Sequence, residues 1–170
     1  MISIFRPNLP EGVTIGRNGT DRVLEVVAAL LLLTVWGLCV YIYCIADGPI
    51  AVHFNFAGHP NRWGSASELF IFAGIVTLAM GIMGMAAYNP KMVNLPIKLK
   101  LERLSQQYTL MGRFVRLCNV VLGVMFVFIM LSMGSSFWGM ESRSFVSFVL
   151  LLIVVLFGLI GYYSIRINRC

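Results

Sequence analysis

Charge is what this chain has least of: only 12% of its 170 residues are Asp, Glu, Lys or Arg. A water-soluble domain carries about 25%, so a surface solvated by water throughout is excluded. Hydrophobic residues make up 59% of the chain and the mean hydropathy is +0.86. Lipid must take the place of water around much of the protein. Cysteine is also sparse. Cys39, Cys44, Cys118 and Cys170 form no C-x-x-C pair, which excludes a disulfide framework and a zinc ribbon. They read as small apolar fillers, with Cys39 and Cys44 on different helix faces. Catalytic signatures are missing too: the chain has no G-x-S-x-G, no H-E-x-x-H and no P-loop. No cofactor is implied. Nor does an apolar span carry paired carboxylates, or a Lys or Arg, that would suggest an ion relay. The net charge of +6 lacks the basic stripe with interleaved aromatics that nucleic acid requires. No nucleic-acid partner is expected.

What is present is four long apolar runs, at about 23–45, 69–87, 117–133 and 145–165. The first is about 23 residues, or roughly 34 Å of helix, against a hydrocarbon core of about 30 Å. The expected fold is all-α, a polytopic membrane protein with the bilayer as its main partner. Residues 23–170 would form one four-helix membrane domain. Residues 1–22, with Pro7, Pro10 and Gly16, read as a polar tail rather than a cleaved signal. Glu25, the one charge of the first run, is placed to reach the headgroups. Arg6, Arg17 and Arg22 precede the first run. Lys91, Lys98, Lys100, Arg103, Arg113 and Arg116 fill the second connection, and Arg166 and Arg169 follow the fourth run. The other two connections hold Arg62 and Arg143. The bias predicts both termini in the cytoplasm of a bacterial inner membrane. Gly74, Gly81 and Gly84, and likewise Gly158 and Gly161, are expected to pack inward, since small residues let helices approach in lipid. The ten methionines, Met80, Met83 and Met85 among them, read as packing filler. Thr34 and Asn119 read as hydrogen-bonding groups between helices.

Two connections are informative. In the outer one, 46–68, Val52, Phe54 and Phe56 alternate with His53 and Asn55, the period of an extended segment. Gly58 and His59-Pro60-Asn61 then supply a turn. Trp63 suits a membrane boundary, and Ser65 or Ser67 can cap the second helix with Glu68 at its start. His53, His59 and Asp47 are the candidate metal ligands, although their spacing matches no zinc signature. A structural His53, hydrogen-bonded within the loop, is the plainer reading. The inner connection, 88–116, opens on the helix stop Tyr88-Asn89-Pro90. Leu101, Leu104, Tyr108, Met111 and Val115 then recur at helical spacing between polar residues. This predicts an amphipathic cytoplasmic helix lying on the lipid interface and running into the third span. Lys98, Lys100, Arg103, Gln107, Tyr108, Arg113 and Arg116 are its candidate face for anionic lipid or a cytoplasmic partner.

The stretch from Pro49 through His53, Asn55, Gly58, Pro60, Asn61, Trp63, Gly64 and Ser65 resembles the loop motif of the SdpI-like bacterial membrane family. Asn94-Leu95-Pro96-Ile97-Lys98 and Gln107-Tyr108 are similar to that family as well. Asn61 and Ala66 stand where the family commonly has Asp and Lys. The namesake is an immunity protein against a secreted peptide toxin, and it also holds a transcription repressor at the membrane. The resemblance implies a non-enzymatic inner-membrane protein that binds a peptide or protein partner through the outer loop. Two other classes stay open at this point. One is a metal-dependent membrane enzyme or transporter centred on the loop histidines. The other is a structural subunit of an oligomer or larger membrane complex.

Overall fold

The structure, a computed structural model, describes residues 12–89 and 92–170. Arg6, Pro7, Pro10, Pro90 and Lys91 lie outside the described residues. Four helices are long and apolar enough to cross a membrane. They are α1 (Gly19–Ile45), α2 (Glu68–Ala86), α3 (Leu104–Gly134) and α4 (Ser142–Arg169), and an antiparallel hairpin, β1 (Ile50–Phe54) and β2 (Pro60–Gly64), joins α1 to α2. The fold is therefore mostly helical, as expected, with one small sheet. Short 3-10 turns at Leu101–Arg103 and Ser135–Trp138 extend α3 at both ends.

Helix α1 starts earlier than its apolar run because Asn18 and Asp21 form a capping box. The Asn18 side chain accepts from the Asp21 N–H at 3.1 Å, and the Asp21 carboxylate accepts from the Asn18 N–H at 3.0 Å. Large apolar side chains stay outside the packed interior, as lipid permits: Leu33, Leu78 and Val154 are each 66% exposed. Helix α2, with 19 residues, is just long enough for a bilayer core at 1.5 Å per residue. Helices α1, α3 and α4 have 27, 31 and 28 residues and must project beyond it.

Helix α3 is the axle on which the others pack. Near the hairpin, Val35, Cys39 and Ile42 of α1, Leu69, Ala73 and Val76 of α2, and Met130 and Met133 of α3 form one core, lidded by Ile50. At the opposite end Leu104, Tyr108, Met111, Phe114 and Val115 form a second core. It is completed by Tyr163 and Ile167 of α4, with Val13, Ile15, Val93, Leu95 and Ile97 packed against it. This second core corrects the interfacial-helix expectation. The apolar face expected over residues 101–115 is covered by protein from Leu104 onward, and of its five apolar residues only Leu101 is exposed.

The glycine expectation is corrected as well. A Cβ at Gly74, Gly81, Gly84, Gly158 or Gly161 meets nothing within 4 Å. The close approaches lie on α3 instead. A Cβ at Gly123 would sit 3.0 Å from Leu31, and one at Gly134 would sit 3.0 Å from Ile42. Helices α1 and α3 are parallel and keep one register along their length. The bonded pairs Thr14–Ser105, Gly16–Thr109, Asp21–Arg113 and Glu25–Arg116 are 91, 93, 92 and 91 residues apart, and the two glycine contacts continue the series. Thr34 bonds its own helix at Leu30 rather than a neighbour. Trp36 Nε1 donates to Thr77 Oγ1 at 3.0 Å across α1 and α2, and Asn119 Nδ2 donates to Met80 O at 3.3 Å. The buried methionines are core residues, Met80, Met111, Met130 and Met133 among them. Cys39 is buried and Cys44 exposed, so they do face different ways.

Candidate functional site

The hairpin is held by its own polar residues. Asn55 makes the turn: its Oδ1 accepts from the Ala57 and His59 N–H groups at 3.0 Å each, and its backbone pairs with His59 O. Gly58 completes the turn at φ +81°, and a Cβ there would come 2.5 Å from Arg143 Cα. No other residue type fits that combination of backbone and space. Two irregularities in register, either side of His53, twist the strands. His53 Nδ1 lies 2.6 Å from Asn61 Oδ1, so Asn61 fixes the ring. Arg62 Nη2 donates to Glu68 Oε2 at 2.8 Å, and the other carboxylate oxygen accepts from the Ser65 N–H at 3.2 Å. Ser65 Oγ accepts from the Ser67 N–H at 3.3 Å, so Ser65 and Glu68 share the start of α2. The Glu68 carboxylate passes over Gly64 and leaves no room for a Cβ there.

The hairpin rests on the α3–α4 connection. Ser142 Oγ donates to Gly58 O at 2.7 Å. Between them lies a cleft of about 380 Å³ lined by His59, Pro60, Ser135, Ser136, Glu141 and Arg143, with Gly58, Met140 and Ser142. Two aromatics are left outward: Phe56 at the tip is 89% exposed and Trp63 is 55% exposed. Both loop histidines are exposed, but among the described residues no group of three His, Cys, Asp or Glu is placed to hold a metal. His53, His59 and Asp47 are not brought together as ligands, and His53 takes the structural part.

At the other end of α1 the structure assembles a charge cluster that sequence reasoning missed. Arg113 Nε and Nη2 donate to the two Asp21 oxygens at 3.1 and 3.3 Å. Arg116 Nε donates to Glu25 Oε1 at 2.7 Å, Tyr88 Oη donates to the same oxygen at 2.7 Å, and Arg17 pairs with Glu25 Oε2. Two guanidinium groups lie over the Tyr88 ring, Arg17 and Arg116, at 5.6 and 4.9 Å from its centre. Burial, and then the bond to Glu25, raise its hydroxyl above the ordinary tyrosine value. Glu25 is thus an internal partner and not a group reaching for headgroups. The signal for this was present: two carboxylates four apart on α1 and two arginines three apart on α3 each share a helix face.

The same end absorbs most of the expected cytoplasmic face. Gln107 is wholly buried and satisfied, accepting from the Lys100 N–H at 2.9 Å and donating to Lys98 O and Ile167 O at 3.0 and 3.2 Å. Tyr108 and Arg116 are buried, and Arg113 is occupied by Asp21. Lys98, Lys100 and Arg103 remain exposed, with Lys100 Nζ donating to Cys170 O at 3.1 Å.

Residues 30–77 match a family described as a domain of unknown function, DUF1648. That segment runs from α1 through the whole hairpin into α2. No curated protein and no solved structure matches the chain.

Proposed function

We propose that this multi-pass membrane protein is a non-enzymatic receiver of the SdpI-like type, binding a peptide or protein partner at the hairpin. The hairpin faces the outside of a bacterial inner membrane, and both termini lie in the cytoplasm. The observation that carries this reading is the cleft between the hairpin and the α3–α4 connection. It offers His59, Glu141, Arg143 and three serines to a polar backbone, with Phe56 and Trp63 exposed nearby as aromatic anchors. The distribution of Lys and Arg supports the orientation. The resemblance at Pro49, His53, Asn55, Gly58, Pro60, Trp63, Gly64 and Ser65 supports the type of partner, a peptide toxin or a signalling protein. Asn61, which stands where the family commonly has Asp, still holds His53, and Arg62–Glu68 supplies an ion pair beside it.

Photo-crosslinking from position 63 in cells, followed by identification of the captured molecule, tests the reading. A peptide or a discrete protein is expected, together with changed sensitivity to antimicrobial peptides when the gene is deleted. Capture of lipid alone with unchanged sensitivity would end the proposal. Orientation is tested separately, by labelling Phe56→Cys in a cysteine-free background with an impermeant reagent. Modification in intact spheroplasts is expected.

A further inference from the structure

The outward glycines of α2 do not face empty lipid uniformly. Gly81 and Gly84, with Ala28, Ala29, Leu32 and Met80, wall a groove of about 300 Å³ between α1 and α2, closed at the end away from the hairpin by Glu25 and Tyr88. A second hollow of about 350 Å³ continues it on the far side of the same two glycines. A Cβ on either glycine meets nothing within 4 Å, so no neighbouring helix of this chain accounts for their small size. Asn119 lines the groove as well. It is more than nine-tenths buried, and its Oδ1 has no hydrogen-bond partner among the described residues. That oxygen is enclosed by the protein itself; what the groove leaves room for, above Gly81 and Gly84, is a hydrocarbon chain from outside the protein.

Charge says what kind of molecule that is. The cluster closing the groove holds three guanidinium groups, Arg17, Arg113 and Arg116, against two carboxylates, Asp21 and Glu25, and Arg22 is exposed beside it. Arg17, stacked on Tyr88, keeps 41% of its side chain accessible. A positive surplus at the head of an apolar groove matches an anionic phosphate with a hydrocarbon tail.

We infer that the α1–α2 groove is a site for one anionic phospholipid. An acyl chain lies over Gly81 and Gly84 and the phosphate sits at Arg17. This site is distinct from the hairpin cleft and is independent of what binds there.

Native mass spectrometry of the whole protein in mild detergent tests it, with phosphatidylglycerol and phosphatidylcholine of identical chains titrated in parallel. Phosphatidylglycerol is expected to be retained preferentially. Gly84→Leu, which fills space no other atom occupies, is expected to abolish that retention, whereas Gly158→Leu on α4 leaves it unchanged. Arg17→Gln is expected to weaken phosphatidylglycerol about fivefold and remove the preference over phosphatidylcholine. Thermal unfolding of each variant checks that the fold is kept. Equal retention of the two lipids, or undiminished phosphatidylglycerol on Gly84→Leu, overturns the inference. So does a lipid-free dimer of the natural protein that Gly84→Leu converts to monomer, because a second copy would then cover the groove.

Discussion

The two ends of the bundle are built on opposite plans. Apart from Ser142–Gly58, the hairpin end is local: Asn55, His53–Asn61 and Arg62–Glu68 bond within about a dozen residues of chain, and their side chains are largely exposed. The charged end is non-local. Asp21–Arg113 and Glu25–Arg116 join residues 92 and 91 apart, and Asp21 and Arg116 are almost wholly buried. A local, exposed device can be rebuilt around a ligand without disturbing the rest. A buried ion pair spanning half the chain specifies how the helices assemble, at the cost of desolvation.

That contrast is open to breakage in a graded way. Removing one partner of a buried pair at the charged end should cost most. Arg113→Ala strands the Asp21 carboxylate and is expected to destabilise the protein by about 3–5 kcal/mol in detergent unfolding. Adding Asp21→Asn should recover part of that loss, a coupling that a double-mutant cycle measures. Gln107→Ala comes next. It leaves backbone groups of Lys98, Lys100 and Ile167 unpaired and should cost about 1–3 kcal/mol. At the hairpin, Gly58→Ala imposes a left-handed alanine worth about 1–2 kcal/mol, besides its clash with Arg143. Its effect should appear as faster hydrogen exchange over residues 50–64 with the helices still protected. Arg62→Ala should fall within about 1 kcal/mol, and any effect should shrink in high salt. If Arg62→Ala destabilised the protein as much as Arg113→Ala, the two ends would not differ in kind.

The sequence made the spans legible because lipid leaves its mark on composition, residue after residue. It made the first strand and the turn legible through Val52, Phe54 and Gly58, but β2 was hidden behind His59-Pro60-Asn61, which reads as turn. The charged end was hidden for a different reason. Asp21 and Glu25 meet Arg113 and Arg116 only once α1 and α3 are set side by side in register, and no local pattern carries that register. The same lack of register made Gly74, Gly81 and Gly84 look like contact points. The contact glycines, Gly112, Gly123 and Gly134, recur instead every eleven residues along α3, a period close to three helical turns. In the hairpin cleft, Pro60 was in view as part of the loop motif and His59 as a candidate metal ligand, and Arg143 only as one charge in the orientation count, whereas Glu141 and the three serines were not. They belong to a connection with no signal of its own.

The pairing of α1 with α3, from Asp21–Arg113 to Ile42–Gly134, has a mechanical corollary. Two rods pinned at that many stations cannot slide past each other by a residue without releasing every pin together. Whatever tugs on the loop emerging from one rod therefore displaces the pair as a single lever.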